Sequence, residues 1–265
     1  MSSTAIESLL AFWADAGVEI ALADAPKDRM AEGLAALRPK PPQPAAPARL
    51  EPRTLPPAPS EGSAGARVLA EAAADLASLE AAIAAFEGCP LKFQGARQAV
   101  FARGAPDAPV MIVGEGPGAE EDAQGAPFVG RAGKLLDRML EAAGLTGRVF
   151  ITNTVFWRPP GNRTPSPAEQ AACAPFLERA IALVRPRLLL FAGGAAAKHL
   201  LGTTEGILSL RGRWRDWTPS DGGESIPALP TLHPAFLLRQ PAAKKKAWED
   251  LLTLTERLDQ LEKPT

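Results

Sequence analysis

The segment from Gly114 to Gly133 carries the strongest chemical pattern in the chain. It follows a short apolar run, begins Gly-Glu-Gly-Pro-Gly-Ala-Glu-Glu-Asp and continues through Pro-Phe-Val-Gly. Glycines let a backbone approach a ligand closely and leave N–H groups free to donate. The loop has neither the Walker A nor the GxGxxG spacing, and four acids in nine residues would repel a polyphosphate. It favours a neutral planar ligand whose face stacks on Phe128.

A second segment, from Thr152 to Pro165, places an amide and two cations after a predicted strand. The amide of Asn153 offers a donor beside an acceptor, which matches a carbonyl next to an N–H, as on the edge of uracil. Arg158 and Arg163 flank a rigid Pro-Pro pair and could meet phosphates. The alternative for Asn153 is an ordinary loop cap.

A third segment, from Leu232 to Pro241, contains one of the two histidines. His199 lies within a helical pattern and is expected to be structural. His233 follows a predicted strand and precedes a proline, where parallel α/β sheets place their sites. Leu237 and Leu238 are either core residues or an apolar wedge that fills a base stack from which a base has left.

Strands and helices alternate along the part of the chain that must position these segments. This alternation predicts an α/β fold, a three-layer αβα sandwich with a mostly parallel central sheet. Ser166 with Glu169 is a capping box that marks one helix start. The predicted strands are Pro109–Val113, Val149–Thr152, Arg187–Ala192 and Ile226–Leu229, and the predicted helices are Ala64–Phe86, Arg131–Ala143, Pro167–Val184, Gly194–Leu201 and Ala242–Leu261.

The first part of the chain has a different composition. Residues 1–38 predict a small helical segment, and residues 39–62 a flexible linker, since Pro39 to Pro59 holds nine prolines in 21 residues. Residues 63–265 are then the catalytic domain. We see no secretion signal and no apolar run long enough to span a bilayer, so we expect a cytoplasmic protein with no membrane partner.

Charge and cysteine content narrow the possible functions. The net charge is only −1, which argues against a protein that coats nucleic acid. The 15 basic and 11 acidic residues from position 150 onward still allow a small basic face, although from charge alone ordinary solvated surface is the favoured explanation. Cys89 and Cys173 are isolated in sequence, which indicates buried thiols rather than a disulfide scaffold.

The three segments together resemble the uracil-DNA glycosylase superfamily, and specifically its family 4. That family combines a Gly-Glu-x-Pro-Gly loop ending in Pro-Phe-Val-Gly, an asparagine strand end before Arg-Pro-Pro, and a late His-Pro motif. Here these are Gly114–Gly133, Asn153 with Arg158–Glu169, and His233–Arg239, in the family order. The resemblance covers about residues 85 to 255. It implies hydrolysis of the N-glycosidic bond of deoxyuridine after the base is flipped out of single- or double-stranded DNA, which leaves an abasic site.

The resemblance also implies roles for individual residues. Uracil would be bound in the pocket by Gly116, Gly118, Phe128 and Asn153. His233 would stabilise negative charge on uracil O2, and Glu115 or Glu121 would position the water or stabilise the cationic sugar, with no way to choose between them from sequence. DNA would be contacted by Arg158, Arg163, Leu237, Leu238 and Arg239. We expect a monomer, with activity on nucleoid DNA in a bacterial-type cytoplasm.

One departure from the family is large. Family 4 members hold a [4Fe–4S] cluster on four cysteines, two of them in a Cys-x-x-Cys pair. Here that pair reads Phe86-Glu87-Gly88-Cys89, and Trp157 stands where another cysteine would precede Arg-Pro-Pro. Since two thiolates cannot supply four ligands, we predict no cofactor. Cys89 and Cys173 should remain close together as remnants of the site, with Phe86 and Trp157 filling the vacated space.

Other functions stay open. A catalytically weak uracil- or DNA-binding module would keep the pocket and lose turnover, although the intact Glu115, Phe128, Asn153 and His233 argue against it. A covalent uracil trap would carry an added histidine-containing basic loop, and residues 202–226 contain no histidine. A nucleotide-binding α/β enzyme is opposed by the acidic loop.

Overall fold

The computed structural model describes residues 61–262, with helices and strands numbered here in chain order. The predicted N-terminal helical segment, residues 1–38, and nearly all of the predicted linker lie outside the described residues. Helix α1 begins at Glu61, so the last two residues of the predicted linker are helical. No helix between residues 61 and 262 is long and apolar enough to cross a membrane.

A six-stranded sheet with the order β1-β3-β2-β4-β6-β5 forms the centre of the fold. Its four inner strands are parallel and were all predicted, with ends that differ by a few residues. Its two short edge strands, β1 and β5, are antiparallel and were not predicted. The strands are β1 Ala102–Gly104, β2 Val110–Gly114, β3 Val149–Asn153, β4 Leu188–Ala192, β5 Arg215–Trp217 and β6 Ile226–Thr231.

Helices cover both faces of the sheet. They are α1 Glu61–Ala72, α2 Leu76–Ala85, α3 Ala119–Gln124, α4 Arg131–Ala142, α5 Pro167–Val184, α6 Gly194–Leu201, α7 Ile207–Leu210, α8 Pro234–Arg239 and α9 Lys244–Glu262, with short 3₁₀ turns at Pro90–Phe93, Pro160–Asn162 and Pro241–Ala243. The prediction of one helix over Ala64–Phe86 is wrong. The chain breaks before Asp75, whose carboxylate accepts a hydrogen bond from Ser78 N at 2.7 Å and caps the second helix.

Alternating residues of the strands supply the two hydrophobic layers. Met111 and Val113 of β2 face the cluster that includes α1, α2 and α5. Val110 and Ile112 face the cluster that includes α4 and α9. This alternation is what a strand with both faces covered requires, and it confirms the αβα sandwich.

The carboxyl ends of β2, β3 and β6 lie at one edge of the sheet, because the strands are parallel. Each ends in a segment that the sequence singled out: Gly114, Asn153 and Thr231 are the last strand residues. The capping box at the start of α5 is also present, with Ser166 N donating to Glu169 Oε2 at 2.7 Å. This helix start fixes the far end of the second segment.

Candidate active site

A cavity of about 450 Å³ opens at the carboxyl edge of the sheet. The predicted site residues that line it are Glu115, Gly116, Gly118, Glu121, Phe128, Asn153, Arg163, His233 and Arg239. Arg158, Leu237 and Leu238 do not line it. A second cavity, of about 600 Å³, lies beside the amino ends of β4 and β6 and contains none of the predicted site residues.

Asn153 sits in the floor of the cavity with only 1% of its surface exposed. Its Oδ1 is buried and has no hydrogen-bond partner. A buried acceptor left unpaired costs about 1–3 kcal/mol, so the arrangement favours a ligand that brings a donor to this oxygen. The loop-cap alternative predicts a hydrogen bond between the Asn153 side chain and the backbone, and Oδ1 makes none.

Glycine at position 114 is what allows the cavity floor to form. Gly114 pairs with Asn153 across β2 and β3. A Cβ there would lie 2.4 Å from Asn153 Oδ1 and 2.6 Å from the Phe128 ring. The loop that follows is tied down by Thr154, whose N–H donates to Gly114 O at 2.9 Å and whose hydroxyl donates to Glu115 O at 2.6 Å.

Phe128 presents its ring beside the amide of Asn153 and is only 6% exposed. Its backbone has φ +54°, in the left-handed region that bulky residues seldom occupy. Such a conformation costs on the order of 1–3 kcal/mol and persists only where neighbours enforce it. The ring stacks on His233, with centroids 5.6 Å apart and planes inclined by 29°. The two rings form an aromatic wall suited to a planar ligand.

His233 is held in one orientation and in one protonation state. Its Nδ1 accepts a hydrogen bond from Ala235 N at 3.1 Å. Burial, with the positive charge of Arg239, lowers the pKa of His233 to about 4, against an opposing effect of Glu121. The ring is therefore neutral at pH 7, and because Nδ1 is an acceptor, the one proton is on Nε2. Nε2–H is free to donate to a developing negative charge.

The two candidate acids differ in their surroundings. Glu121 Oε1 accepts from Val129 N at 3.1 Å and Gly130 N at 2.9 Å, and Oε2 accepts from Gly118 N at 3.1 Å. Glu121 thus joins the two ends of the glycine-rich loop. The partly exposed carboxylate of Glu115 takes part in no hydrogen bond or ion pair with the other described residues, and it faces the cavity.

The arginines of the second segment bind other protein groups. Arg163 makes a bidentate ion pair with Glu169, with Nη1–Oε2 at 2.8 Å and Nη2–Oε1 at 2.7 Å. The same contact lowers the pKa of Glu169 to about 2. Arg158 Nε donates to Asn162 Oδ1 at 2.7 Å. Arg163 also donates from Nη1 to Thr164 O at 3.2 Å and from Nη2 to Gln94 Oε1 at 3.4 Å, which leaves only its Nε–H for a phosphate. Arg158, by contrast, keeps the N–H groups of both Nη atoms.

The packing of helix α8 contradicts the predicted DNA contact of Leu237. Leu237 is completely buried, where it packs with Leu135, Leu232 and Ala247. A side chain in that position cannot enter a base stack without leaving the core, so Leu237 is a core residue. Leu238 is partly exposed and Arg239 is exposed.

The two cysteines lie together beneath the second segment, as predicted. Cys89 and Cys173 are fully buried, and their sulfur atoms are 3.9 Å apart. Burial raises the pKa of the Cys173 thiol, which favours its protonated form. No group of three or more His, Cys, Asp or Glu side chains able to hold a metal occurs among residues 61–262.

Aromatic rings fill the space next to these sulfurs. Phe86 lies 6.4 Å from Trp157 and 5.1 Å from Phe176, measured between ring centroids. All three are nearly or fully buried and belong to the same hydrophobic cluster as the cysteines. Phe86 and Trp157 are thus buried together in the apolar cluster that also contains Cys89 and Cys173.

Sequence reasoning missed two residues near the cavity. Phe236 lines the cavity from α8. It lies in the third segment directly before Leu237 and Leu238, which were predicted to contact DNA. Arg103 lies outside all three segments, on the unpredicted edge strand β1, and hydrogen-bonds to the backbone at Phe128. No spacing in the sequence marks this second contact, because a three-residue edge strand is too short to show a pattern.

Comparison with known proteins agrees with this geometry. The profile of the Uracil DNA glycosylase superfamily matches residues 101–252. A type-4 uracil-DNA glycosylase of Thermotoga maritima is 42% identical over 153 residues, which are 57% of this chain and 77% of the relative. The corresponding enzyme of Sulfurisphaera tokodaii is 40% identical over 164 residues, 60% of this chain and 74% of the relative. That of Pyrobaculum aerophilum is 39% identical over 183 residues, 67% of this chain and 91% of the relative.

The matched region runs from the edge strand that reaches Phe128 to helix α9, and it contains all the residues that line the cavity. The chain therefore belongs to the uracil DNA glycosylase superfamily and, within it, is related to the type-4 enzymes.

Proposed function

We propose that this chain is a uracil-DNA glycosylase of base-excision repair. It hydrolyses the N-glycosidic bond of deoxyuridine in DNA, releasing uracil and leaving an abasic site. The relatives named type-4 uracil-DNA glycosylases, at about 40% identity, support this activity. A base inside a duplex cannot reach a cavity of this kind, so the nucleotide must be flipped out of the stack.

The unpartnered Oδ1 of Asn153 is the observation that carries the proposal for the pocket. Uracil N3–H would donate to this oxygen, and the amide N–H of Asn153 would donate to uracil O4. Cytosine presents an acceptor at N3 and a donor at the position of O4, so both contacts would be mismatched. Each mismatch leaves a buried polar group unpaired, which costs about 1–3 kcal/mol and rejects cytosine.

His233 would assist departure of the base. As the bond between C1′ and N1 breaks, its electron pair moves onto uracil and negative charge grows on O2. The neutral ring donates a hydrogen bond from Nε2 to that oxygen, and it needs no proton from solvent to do so. One preorganised donor of this kind contributes on the order of 2.7–4 kcal/mol to catalysis.

Glu115 would be the acid that faces the attacking water. Its free carboxylate can accept a proton from water as the oxygen bonds to C1′, and it can stabilise the cationic sugar. Glu121 would act through the loop that it organises, since three backbone N–H groups occupy its carboxylate. Gly116 and Gly118, which line the cavity, would bring backbone N–H groups to the uracil carbonyls.

DNA would approach across the rim of the cavity. Arg239 is exposed beside His233, and Arg163 lines the cavity with part of its guanidinium free. Leu238 and Arg158 do not line the cavity but would contact the flanking DNA, with Leu238 in the wedge role that the burial of Leu237 excludes for that residue. We propose that the chain acts as a monomer on single- or double-stranded DNA, in the cytoplasm.

We further propose that the chain holds no iron–sulfur cluster. A [4Fe–4S] cluster of the family type needs four thiolates, and here there are two, with sulfurs 3.9 Å apart. The buried rings of Phe86 and Trp157 occupy the adjacent space, so the residues present do not fit the group. Iron analysis of the purified protein should find far less than one iron per chain, and about four irons with a brown absorbance would refute the proposal.

The experiment for the activity is incubation with a uracil-containing oligonucleotide followed by alkaline cleavage. The wild type should cut at uracil and leave a cytosine-containing control intact. Asn153→Ala and His233→Ala should each lower kcat by about 10²-fold or more. His199→Ala is the matched control, since His199 lies outside the cavity, and it should keep full activity. Full activity in the two site variants would refute the assignment, and tight binding without cleavage by wild type would favour a uracil-binding module.

A further inference from the structure

Phe128 can stack on a flipped base only if its backbone keeps an unusual conformation. The φ angle of a residue relates the preceding peptide plane to its Cα, and ψ relates the following plane. The two planes next to Phe128 carry the carbonyl oxygens of Pro127 and Phe128. A group that binds both oxygens therefore restrains both dihedral angles, and with them the direction of the Cα–Cβ bond that carries the ring.

Arg103 is such a group. Its Nε donates to Pro127 O at 2.8 Å, and its Nη2 donates to Phe128 O at 3.2 Å. The guanidinium is planar and rigid, so one side chain binds both carbonyls in a fixed relation. Nη2 also contacts Asp137 Oδ1 at 2.6 Å, which orients the guanidinium from the first turns of α4.

The backbone of Arg103 is held in the central sheet, which restricts the movement of the side chain that binds the two carbonyls. Arg103 lies on β1 opposite Ile151, in register with the strand that ends in Asn153. The arginine that would set the ring and the amide that would read the base are thus attached to neighbouring strands. Gly133 leaves room for the Phe128 carbonyl, since a Cβ at position 133 would lie 1.6 Å from Phe128 O.

We propose that Arg103 is a positioning residue of the glycosylase reaction. It does not line the cavity and touches no substrate. It holds both peptide planes at Phe128, so that the ring stays in the left-handed conformation that presents its face to uracil. The proposal rests on the proposed function, because it requires Phe128 to be the stacking ring.

A double-mutant cycle tests this role. Arg103→Ala should lower kcat about 10-fold in the wild-type background and leave KM for the oligonucleotide within about twofold, since no rim residue changes. In a Phe128→Leu background, which keeps apolar volume but has no ring to orient, the same substitution should lower kcat by less than about twofold. A merely structural role would lower kcat equally in both backgrounds.

Two further variants complete the test. Asp137→Asn weakens the ion pair that orients the guanidinium but leaves both carbonyl contacts, so kcat should fall by less than in Arg103→Ala, and an equal or larger fall would contradict the role of those contacts. Arg103→Lys keeps the charge but cannot bind both carbonyls with a planar fork, so it should also lower kcat about 10-fold, and it serves as the test if Arg103→Ala does not fold.

The results of these experiments distinguish failure of the Arg103 role from failure of the proposed glycosylase activity. If wild type cuts uracil DNA and Phe128→Leu is impaired, but Arg103→Lys and Arg103→Ala cut normally, the role of Arg103 is refuted and the function stands. Equal losses in the two backgrounds also refute it. If wild type does not cut uracil DNA, the proposed function fails and this inference fails with it.

Discussion

Gly114 and Asn153 face each other across β2 and β3 with no room for a methyl group between them. A Cβ at position 114 would lie 2.4 Å from Asn153 Oδ1. It would also meet the ring of Phe128 at 2.6 Å. The first glycine of the loop therefore serves the pocket by its lack of a side chain, and its own backbone angle is not in the left-handed region.

Gly114→Ala should consequently disrupt base recognition more than stability. The added methyl must displace the amide or the ring, and a displacement near 1 Å at a catalytic site costs about 10²-fold in rate. Overpacking should cost about 1–3 kcal/mol of unfolding free energy. The measurements are kcat/KM on a uracil oligonucleotide and urea unfolding of the same preparation.

Gly194→Ala is the control for that substitution. A Cβ at position 194 would lie 3.4 Å from Ile207, an ordinary contact, and the residue begins α6 outside the cavity. The control should retain wild-type kcat/KM. Equal activity in the two alanine variants would contradict the role assigned to Gly114.

His233 should remain neutral throughout the physiological range. In the folded chain the pKa of His233 is lowered to about 4, whereas in the unfolded chain it keeps its ordinary value of about 6.5. As pH falls, the unfolded chain therefore takes up a proton on this histidine before the folded chain does. The free energy of unfolding should therefore fall as pH drops from about 6.5 toward 4, when the unfolded state gains the proton first. Above about pH 7.5, where the ring is neutral in both the folded and the unfolded state, this group should contribute no pH dependence.

Nitrogen-15 NMR can observe this state directly, because the chain has two histidines. At pH 7 the His233 ring should show a proton on Nε2 and none on Nδ1, which accepts from Ala235 N. His199→Gln removes the other ring and assigns the signals. A titration midpoint of His233 near 6.5 would contradict the neutral-donor mechanism.

The ion pair between Arg163 and Glu169 should contribute stability that disappears in acid. The pKa of Glu169 is lowered to about 2, so the contribution is complete above the ordinary pKa near 4.5 and is lost as pH falls through that interval. Arg163→Met should lower the free energy of unfolding at pH 7, because it leaves the nearly buried Glu169 carboxylate without its ion-pair partner, and solvent screening reduces the loss since the Arg163 side chain is 44% exposed.

Urea unfolding at several pH values measures that contribution. The difference between wild type and Arg163→Met should shrink between about pH 5 and pH 3, as Glu169 becomes protonated in the unfolded state. Arg158→Met is the control, since Arg158 makes a hydrogen bond to the uncharged side chain of Asn162 and no ion pair among the described residues. A difference that stays constant with pH would show that the ion pair does not set the stability.

The inner sheet and the cavity residues were predictable because their signals are local. Buried parallel strands are continuous apolar runs, and Glu115, Asn153 and His233 each lie at the end of such a run or within two residues of it. Asn153 and His233 could be placed together from sequence because parallel strands end at one edge of a sheet. The family motifs then supplied their chemical roles.

The features that the sequence did not predict depend on tertiary contacts or on single capping residues, which local apolar patterns do not reveal. The leucines at positions 237 and 238 have the same chemistry, and only the packing of α8 onto Leu135 buries the first and leaves the second partly exposed. The break before Asp75 was hidden by an alanine-rich sequence with high helix propensity, where a single cap decides the end of a helix. Arg103 acts through backbone oxygens, which carry no sequence signature.

Trp157 should be among the largest contributors to stability in the domain, because its large side chain is almost completely buried. It is 1% exposed and packs within 6.4 Å of both Phe86 and Phe156, measured between ring centroids. Trp157→Ala should cost about 3–5 kcal/mol, since the cavity it leaves cannot close between rigid rings. Leu208→Ala, at a position 66% exposed, should cost less than about 0.5 kcal/mol.

An iron chelator distinguishes packing from metal as the source of that stability. If aromatic packing alone holds the segment that carries Asn153, the urea midpoint of wild type should not change after prolonged chelation. Trp157→Ala should then unfold at a lower urea concentration with or without chelator. A chelator-dependent midpoint in wild type, or a loss under about 1 kcal/mol in Trp157→Ala, would show that something other than this packing supports the site.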